Sequence, residues 1–166
     1  YASFPQGTSP IKDFIPVARI TDLLENPGGR FDYDGQSYEY PDIKMVWWAG
    51  GNPFHHHQDL NRMRRAWEKP DTIIVNEWCW NSTAIHADIV LPCTTPLERS
   101  DIALTPKDPY QVVIDQVISP VGDARDDHEI FRGIAAIMGC EDAFTEGRSP
   151  QEWQRWIYDR SRQQAS

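Results

Sequence analysis

One stretch, residues 44–77, constrains this chain more than any other. It reads KMVWWAGGNPFHHHQDLNRMRRAWEKPDTIIVNE. An apolar run at 45–49 stops at Gly50-Gly51-Asn52-Pro53. Phe54 and three histidines, His55, His56 and His57, follow. A helix-like run at 58–68 comes next, then a β-branched run at 72–75. Strand, glycine turn, helix, strand is a βαβ unit, which requires parallel strands and a right-handed crossover. Such units bind ligands in the loops at the carboxyl ends of their strands. Those loops are 50–57 and 76–80, and both are rich in hydrogen-bonding side chains.

The flanking sequence is read by the same rules. Residues 1–14 carry Pro5, Gly7 and Pro10 without periodicity and read as an extended lead-in. Pro16 opens a short helix over 17–25, with Ile20, Leu23 and Leu24 as its apolar face. Residues 31–40 alternate around Asp34-Gly35, a hairpin signal, and form a small surface insertion before the strand at 43–48. In the helix at 58–68, Leu60, Met63 and Trp67 face the sheet, while Arg62, Arg64 and Arg65 form a solvated face. Asn81-Ser82-Thr83 caps one helical turn at 84–86. A third strand occupies 87–92, residues 93–106 are irregular, and a fourth strand runs over 110–118. Asp126-Asp127 starts a helix that Gly139 ends, with Ile130, Phe131, Ile134, Ala135, Ile137 and Met138 on its core face. Ser149-Pro150 with Glu152 opens a last helix, 151–160, striped by Trp153, Trp156 and Ile157. The expected fold class is α/β: a Rossmann-like, mostly parallel sheet flanked by helices, in a single domain over 1–166.

Composition narrows the function classes. A net charge of -9 argues against nucleic acid, whose binding rests on phosphate neutralisation. No run approaches the ~20 apolar residues of a membrane span. Cys79, Cys93 and Cys140 lack metal spacing and read as small buried hydrophobes. The histidine run allows three readings. Consecutive side chains diverge on a strand or a helix, which disfavours one shared ion. A local aromatic cluster is the plain alternative. The favoured reading is hydrogen bonding to an anion or a pterin-like ring at a helix start that follows two glycines. Glu77, at the end of the next strand, is placed either as a turn residue or as an acceptor for a nucleotide. No nucleophile elbow and no paired base occur, so no catalytic centre is assigned.

Several strings resemble a known family. WWAGGNPFHHHQDLNRMRRAW, TIIVNE and STAIHADIVLPCTTPLERSDI are similar to the molybdopterin-dependent dimethyl sulfoxide, trimethylamine N-oxide and biotin sulfoxide reductases. IPVARITDLLENPG and EDAFTEGRSPQEWQRWIYD extend the likeness over nearly the whole chain. The resemblance implies an excised middle portion of a larger enzyme: the α/β domain that holds molybdopterin guanine dinucleotide. It implies bis-MGD with molybdenum as cofactor, and the remaining domains of the same enzyme as partners. An S-oxide or N-oxide is the implied substrate. The metal's own serine ligand lies outside this chain. Asn52, His56, Asn76, Glu77, Arg99 and Asp127 match cofactor-contact positions, and Gly51 and His55 flank them. Compartment stays open between periplasm and cytoplasm, with periplasm favoured.

Two departures from the family pattern lie beside the nucleotide loop. Trp78-Cys79 stands where Pro and an aromatic are common, and Ile85 where an Arg is common. The rival readings are a docking domain using Trp47, Trp48, Trp78 and Trp80, and a metal-dependent hydrolase using the histidine run. Alone, the 166 residues are expected to fold without reductase activity.

Overall fold

Residues 8–91 form one unit of the fold, and residues 92–166 with 1–7 form another. The computed structural model describes residues 5, 8–11, 13–103, 105 and 110–165. Half of the expected lead-in, 1–4, 6, 7 and 12, therefore lies outside the described residues.

In the first unit a 3-10 turn, Val17–Arg19, leads into α1 (Ile20–Glu25). β1 (Arg30–Tyr33) and β2 (Gln36–Glu39) form the expected antiparallel hairpin. Its turn residues, Asp34 and Gly35, have φ of 49° and 73°. Positive φ at both positions is what a two-residue turn needs to match the strand twist. β3 (Met45–Ala49), α2 (Pro53–His56), α3 (Leu60–Trp67), β4 (Thr72–Glu77), α4 (Ser82–Ile85) and β5 (Ile89–Pro92) follow. The sheet order is β3-β4-β5. β3 and β4 pair in parallel, with Trp47 opposite Ile74 and Ala49 opposite Asn76. That register sets the ends of both strands on one edge, as the βαβ pattern requires.

Alternation decides which residues make the core. Val46, Trp48, Ile73 and Val75 share one sheet face, since paired strand positions point the same way. They pack with Leu24, Phe54, Met63, Ala66, Trp67 and Ala84. Trp67 sits at the centre, edge-on to Trp48 at 5.9 Å and to Phe54 at 5.6 Å. Leu60, expected to face the sheet, is 44% exposed. The buried stripe starts one turn later, with Met63, Ala66 and Trp67. α3 itself starts at Leu60 because the Asp59 side chain accepts from the Arg62 N–H at 3.1 Å, a side-chain cap.

Arg62 departs from the expected solvated face. Its Nε donates to Glu25 Oε2 at 2.7 Å, and its Nη2 donates to Asp22 Oδ1, which ties α3 to α1. Arg64 and Arg65 are exposed, as expected. The bonded Arg62 guanidinium holds the Asp22 carboxyl below the usual carboxylate range, against a smaller opposing push from burial. A depressed folded pKa adds stability that is complete above the unfolded value, about 3.9 for Asp, and is lost as pH falls through the folded value. Arg62→Met is therefore expected to destabilise the fold at pH 6 and to differ less from the parent near pH 3. Urea midpoints at the two pH values check this. A gap that stays constant with pH would assign the loss to packing alone.

The second unit begins with β6 (Asp101–Ala103) and β7 (Val112–Ile114), paired antiparallel with Asp101 opposite Ile114. The expected fourth strand at 110–118 is thus three residues long and does not join the parallel sheet. An antiparallel pair needs only a short connection, and the segment before it supplies the nearer edge. α5 (Asp127–Ile137), α6 (Glu141–Thr145) and α7 (Pro150–Ala165) complete the unit. α7 opens with the expected capping box. The Ser149 N–H donates to Glu152 Oε2 at 2.8 Å, and the Glu152 N–H donates to Ser149 Oγ at 3.3 Å. α7 buries Trp153, over which the Arg148 guanidinium sits at 4.5 Å. On α5 only Ala135 is buried, while Ile137 is 90% exposed and Met138 is exposed. Ile137 stands two residues after Ala135, roughly 200° around the helix, so the face that buries Ala135 turns Ile137 toward solvent.

Of the cysteines, Cys93 is buried, but Cys79 and Cys140 are exposed. Cys79 sits in the loop after β4 and Cys140 immediately before α6, so neither occupies a strand or helix face. Among the described residues no helix is long and apolar enough to cross a membrane.

Candidate cofactor-binding site

The loop after β3 is shaped by Gly50 and Gly51, whose φ values are 84° and 78°. Side chains rarely adopt that region. A Cβ at Gly50 would meet nothing within 4 Å, and one at Gly51 would reach only Trp48 Nε1 at 4.0 Å. Backbone conformation, not crowding, demands glycine here, and the space above the loop stays open. Asn52 follows in extended geometry as the residue before α2. The helix start anticipated from sequence is a single turn that begins with Pro53, which has no N–H. Its dipole is correspondingly small, so the polar capacity of the loop lies chiefly in its side chains.

Asn52 turns its amide oxygen to Thr83, whose Oγ1 donates to Asn52 Oδ1 at 2.7 Å. Thr83 is 1% exposed. Beyond it, Asn81 caps α4, its Oδ1 accepting from the Thr83 and Ala84 N–H groups at 3.0 Å each. Asn81 Nδ2 in turn donates to Glu77 Oε2 at 2.5 Å. Glu77 Oε1 accepts from the Trp78 N–H at 3.0 Å. One hydrogen-bond chain therefore links Glu77 at the end of β4 to Asn52 after β3. The cap at Asn81 was legible in the sequence. Its second role, holding Glu77, was not, because nothing local marks it.

Asn76 is 4% exposed. Trp47 Nε1 donates to its Oδ1 at 3.0 Å, across the register that sets Trp47 and Asn76 on the same sheet face. His55 and His56 are exposed and stand edge-on at 5.3 Å. His56 and His57 line a cleft with Thr21, Asp22, Asp59 and Arg62. Among the described residues no group of three or more His, Cys, Asp or Glu is placed to hold a metal ion.

Arg99 and Asp127 belong to the second unit. There Glu98, nearly buried, ties down its loop by accepting from the Thr95 and Val121 N–H groups, each at 2.7 Å. Those two backbone donors lower its carboxyl pKa. Arg99 Nε donates to Asp101 Oδ2 at 3.0 Å, and Nη1 donates to the Thr94 carbonyl at 2.6 Å. The Arg99 Nη2 makes no hydrogen bond among the described residues. Asp127 is the first residue of α5, while Asp126 accepts from Thr94 Oγ1 at 2.6 Å. Arg99, Asp127, His128 and Trp153 line one cleft of this unit. Both His128 ring nitrogens are shielded from solvent and unbonded among the described residues. The Glu129 Oε1 lies 3.7 Å from His128 Nδ1.

The docking reading required four exposed tryptophans. Only Trp78, 65% exposed, and Trp80, 76% exposed, qualify. Trp48 packs on the core and Trp47 is bonded to Asn76.

Comparison with known proteins decides the family. A family model described as molybdopterin oxidoreductase matches residues 22–137. The chain belongs to the molybdopterin oxidoreductase family. It is 49% identical to the biotin sulfoxide reductase of Cereibacter sphaeroides, over 96% of this chain and 22% of that protein. It is 47% identical to the dimethyl sulfoxide/trimethylamine N-oxide reductase of Rhodobacter capsulatus, over 87% of this chain and 18% of that protein. It is 45% identical to the trimethylamine-N-oxide reductase of Haemophilus influenzae, over 89% and 18%. This molybdopterin oxidoreductase chain thus spans about a fifth of the length of the curated relatives it matches. Acetylene hydratase from Pelobacter acetylenicus shares the fold, with a TM-score of 0.60 at 21% identity over 82% of this chain and 20% of that one.

The residues present fit a molybdenum-pterin group. A phosphorylated pterin needs donors for its phosphate and acceptors for its ring N–H groups. In the first unit, Asn52 Nδ2 makes no hydrogen bond among the described residues. Each carboxylate oxygen of Glu77 accepts one bond and retains capacity for another.

Proposed function

We propose that this chain is the cofactor-binding portion of a longer oxidoreductase that reduces S-oxides or N-oxides. In this reading it binds molybdopterin guanine dinucleotide, held as bis-MGD. The observation that carries the proposal is the hydrogen-bond chain from Glu77 to Asn52, which braces the two loops at one edge of a parallel strand pair. Ligands of open α/β sheets bind at that edge. The names of the relatives support the substrate class.

In this reading the Glu77 carboxylate accepts the N1–H and N2–H₂ donors of guanine. Asn52, Asn76, His55 and His56 supply polar contacts around the Gly51 turn. Arg99 and Asp127, in the other unit, are cofactor contacts in their own right. When bound, molybdenum supplies the oxygen-atom chemistry, and the protein's part is to bind and orient the group.

Glu77→Ala in the full-length enzyme is expected to lower guanine nucleotide and molybdenum content severalfold. Glu77→Gln is expected to lower it as well, because an amide presents donors where guanine presents donors. Elemental analysis for molybdenum and nucleotide released by acid hydrolysis read both. Parent-level content in the two variants would remove Glu77 from the site.

A further inference from the structure

We infer that Thr83 is a positioning residue that fixes the Asn52 amide with its Nδ2 toward the bound dinucleotide; the inference rests on the reading of Asn52 as a cofactor contact. Asn52 stands in a loop with two positive-φ glycines and no long helix to hold it. An amide in such a loop can turn over, since its oxygen and nitrogen are nearly the same size. What breaks the tie is the other group it meets. Thr83 is 1% exposed, and its hydroxyl makes one hydrogen bond among the described residues, to Asn52 Oδ1 at 2.7 Å.

The direction of that bond follows from the hydroxyl proton, which has no other acceptor among the described residues; were Oγ1 to accept from Asn52 Nδ2 instead, that buried proton would be left unbonded. The Thr83 N–H is engaged by Asn81 Oδ1, at the capped start of α4. Asn81 is in turn held by Glu77. The hydroxyl is thus carried on a braced backbone and shielded from water, where an unmade hydrogen bond is costly. With Oδ1 occupied by Thr83, the two Nδ2 protons point away from α4. Two donors suit an acceptor-rich partner such as a phosphate or a ring carbonyl, and they repel a donor face. Thr83 touches neither the cofactor nor the reacting atoms in this account. It acts through Asn52.

The test uses the full-length enzyme purified with its cofactor, and it separates the hydroxyl from the methyl. Thr83→Val keeps the shape and removes the donor. Thr83→Ser keeps the donor and leaves a methyl-sized void. The readouts are molybdenum and guanine nucleotide per protein, together with the thermal midpoint of each variant. The expected result is a severalfold loss of cofactor in Thr83→Val, with content near parent in Thr83→Ser. Asn52→Ala is expected to lose cofactor by itself, and adding Thr83→Val to it is expected to change nothing further. Greater loss in Thr83→Ser than in Thr83→Val would show that packing is the only role, and would overturn the inference. So would an additive loss in the double variant. Parent-level content in Asn52→Ala would instead overturn the assignment of Asn52 itself, and the positioning role would fall with it.

Discussion

Arg99→Ala is expected to weaken cofactor retention by the full-length enzyme by about one to two decades, and Arg64→Ala to leave it near parent. A hydrogen bond to a charged group contributes about 1.5–3 kcal/mol, and about 1.4 kcal/mol is tenfold. Arg99 is built for the task. Asp101 and the Thr94 carbonyl hold its Nε and Nη1, so the guanidinium plane is fixed, and Arg99 lines a cleft together with Asp127 and His128. A guanidinium held in place loses little freedom when it meets a phosphate, and its planar donors suit phosphate oxygens. Arg64 is an exposed side chain on α3 that makes no ion pair among the described residues, and isolated surface charges contribute little. Molybdenum and guanine nucleotide per protein after gel filtration provide the measurement. Equal content in the two variants would count against Arg99 as a contact.

The other large effect concerns stability. Trp67→Ala is expected to cost about 3–5 kcal/mol, the range for removing a buried aromatic from a core. Trp67 is the residue on which α3 meets the sheet, and it touches both Trp48 and Phe54 in edge-on geometry. Such ring pairs add about 0.5–1.5 kcal/mol beyond their buried area. Domains are typically stable by only about 5–15 kcal/mol, so this one change removes a large share. Trp67→Phe is expected to cost less. It keeps a ring in the gap and removes an indole N–H that is buried without an acceptor among the described residues. Urea unfolding of the chain, followed by far-ultraviolet circular dichroism, measures both. A loss under about 1 kcal/mol in Trp67→Ala would place the centre of the core elsewhere.

Much of the frame was legible because local patterns report local structure. The apolar runs around Trp48 and Ile74, with a glycine turn and a helix between them, specified parallel strands. Asp34-Gly35 specified a hairpin because few residue pairs accept positive φ twice in succession. Asn81 and Ser149 specified helix starts because their side chains accept the N–H groups that a first turn leaves unbonded. The family likeness rested on whole strings such as GGNPFHHHQDLNR and HADIVLP, and the family comparison agrees with it.

Periodicity also names a helix's apolar stripe without saying how far along it burial extends. Leu60, Ile137 and Met138 sit on such stripes and are exposed, because burial depends on what lies opposite. The same limit hid Arg62, which reads as a surface charge until α1 brings Asp22 and Glu25 against it. The expected fourth strand has a suitable composition around Val112, yet it pairs with residues 101–103 because composition does not name a partner.

Within the candidate site the division is sharp. Sequence by itself determined the two strand-end loops, the glycine turn after the first strand and the acidic residue that closes β4, since each is a property of a few consecutive residues. Only the tertiary structure decided that Trp47 faces the Asn76 oxygen, that Asn81 holds Glu77, and that Thr83 holds Asn52. The Trp47 and Thr83 bonds join positions about thirty residues apart, and both depend on the strand register. The Asn81 bond spans four residues, but it depends on how the turn after β4 folds back. Hydrogen bonds are directional over tenths of an ångström, so such pairs exist only once packing has set the backbones in place.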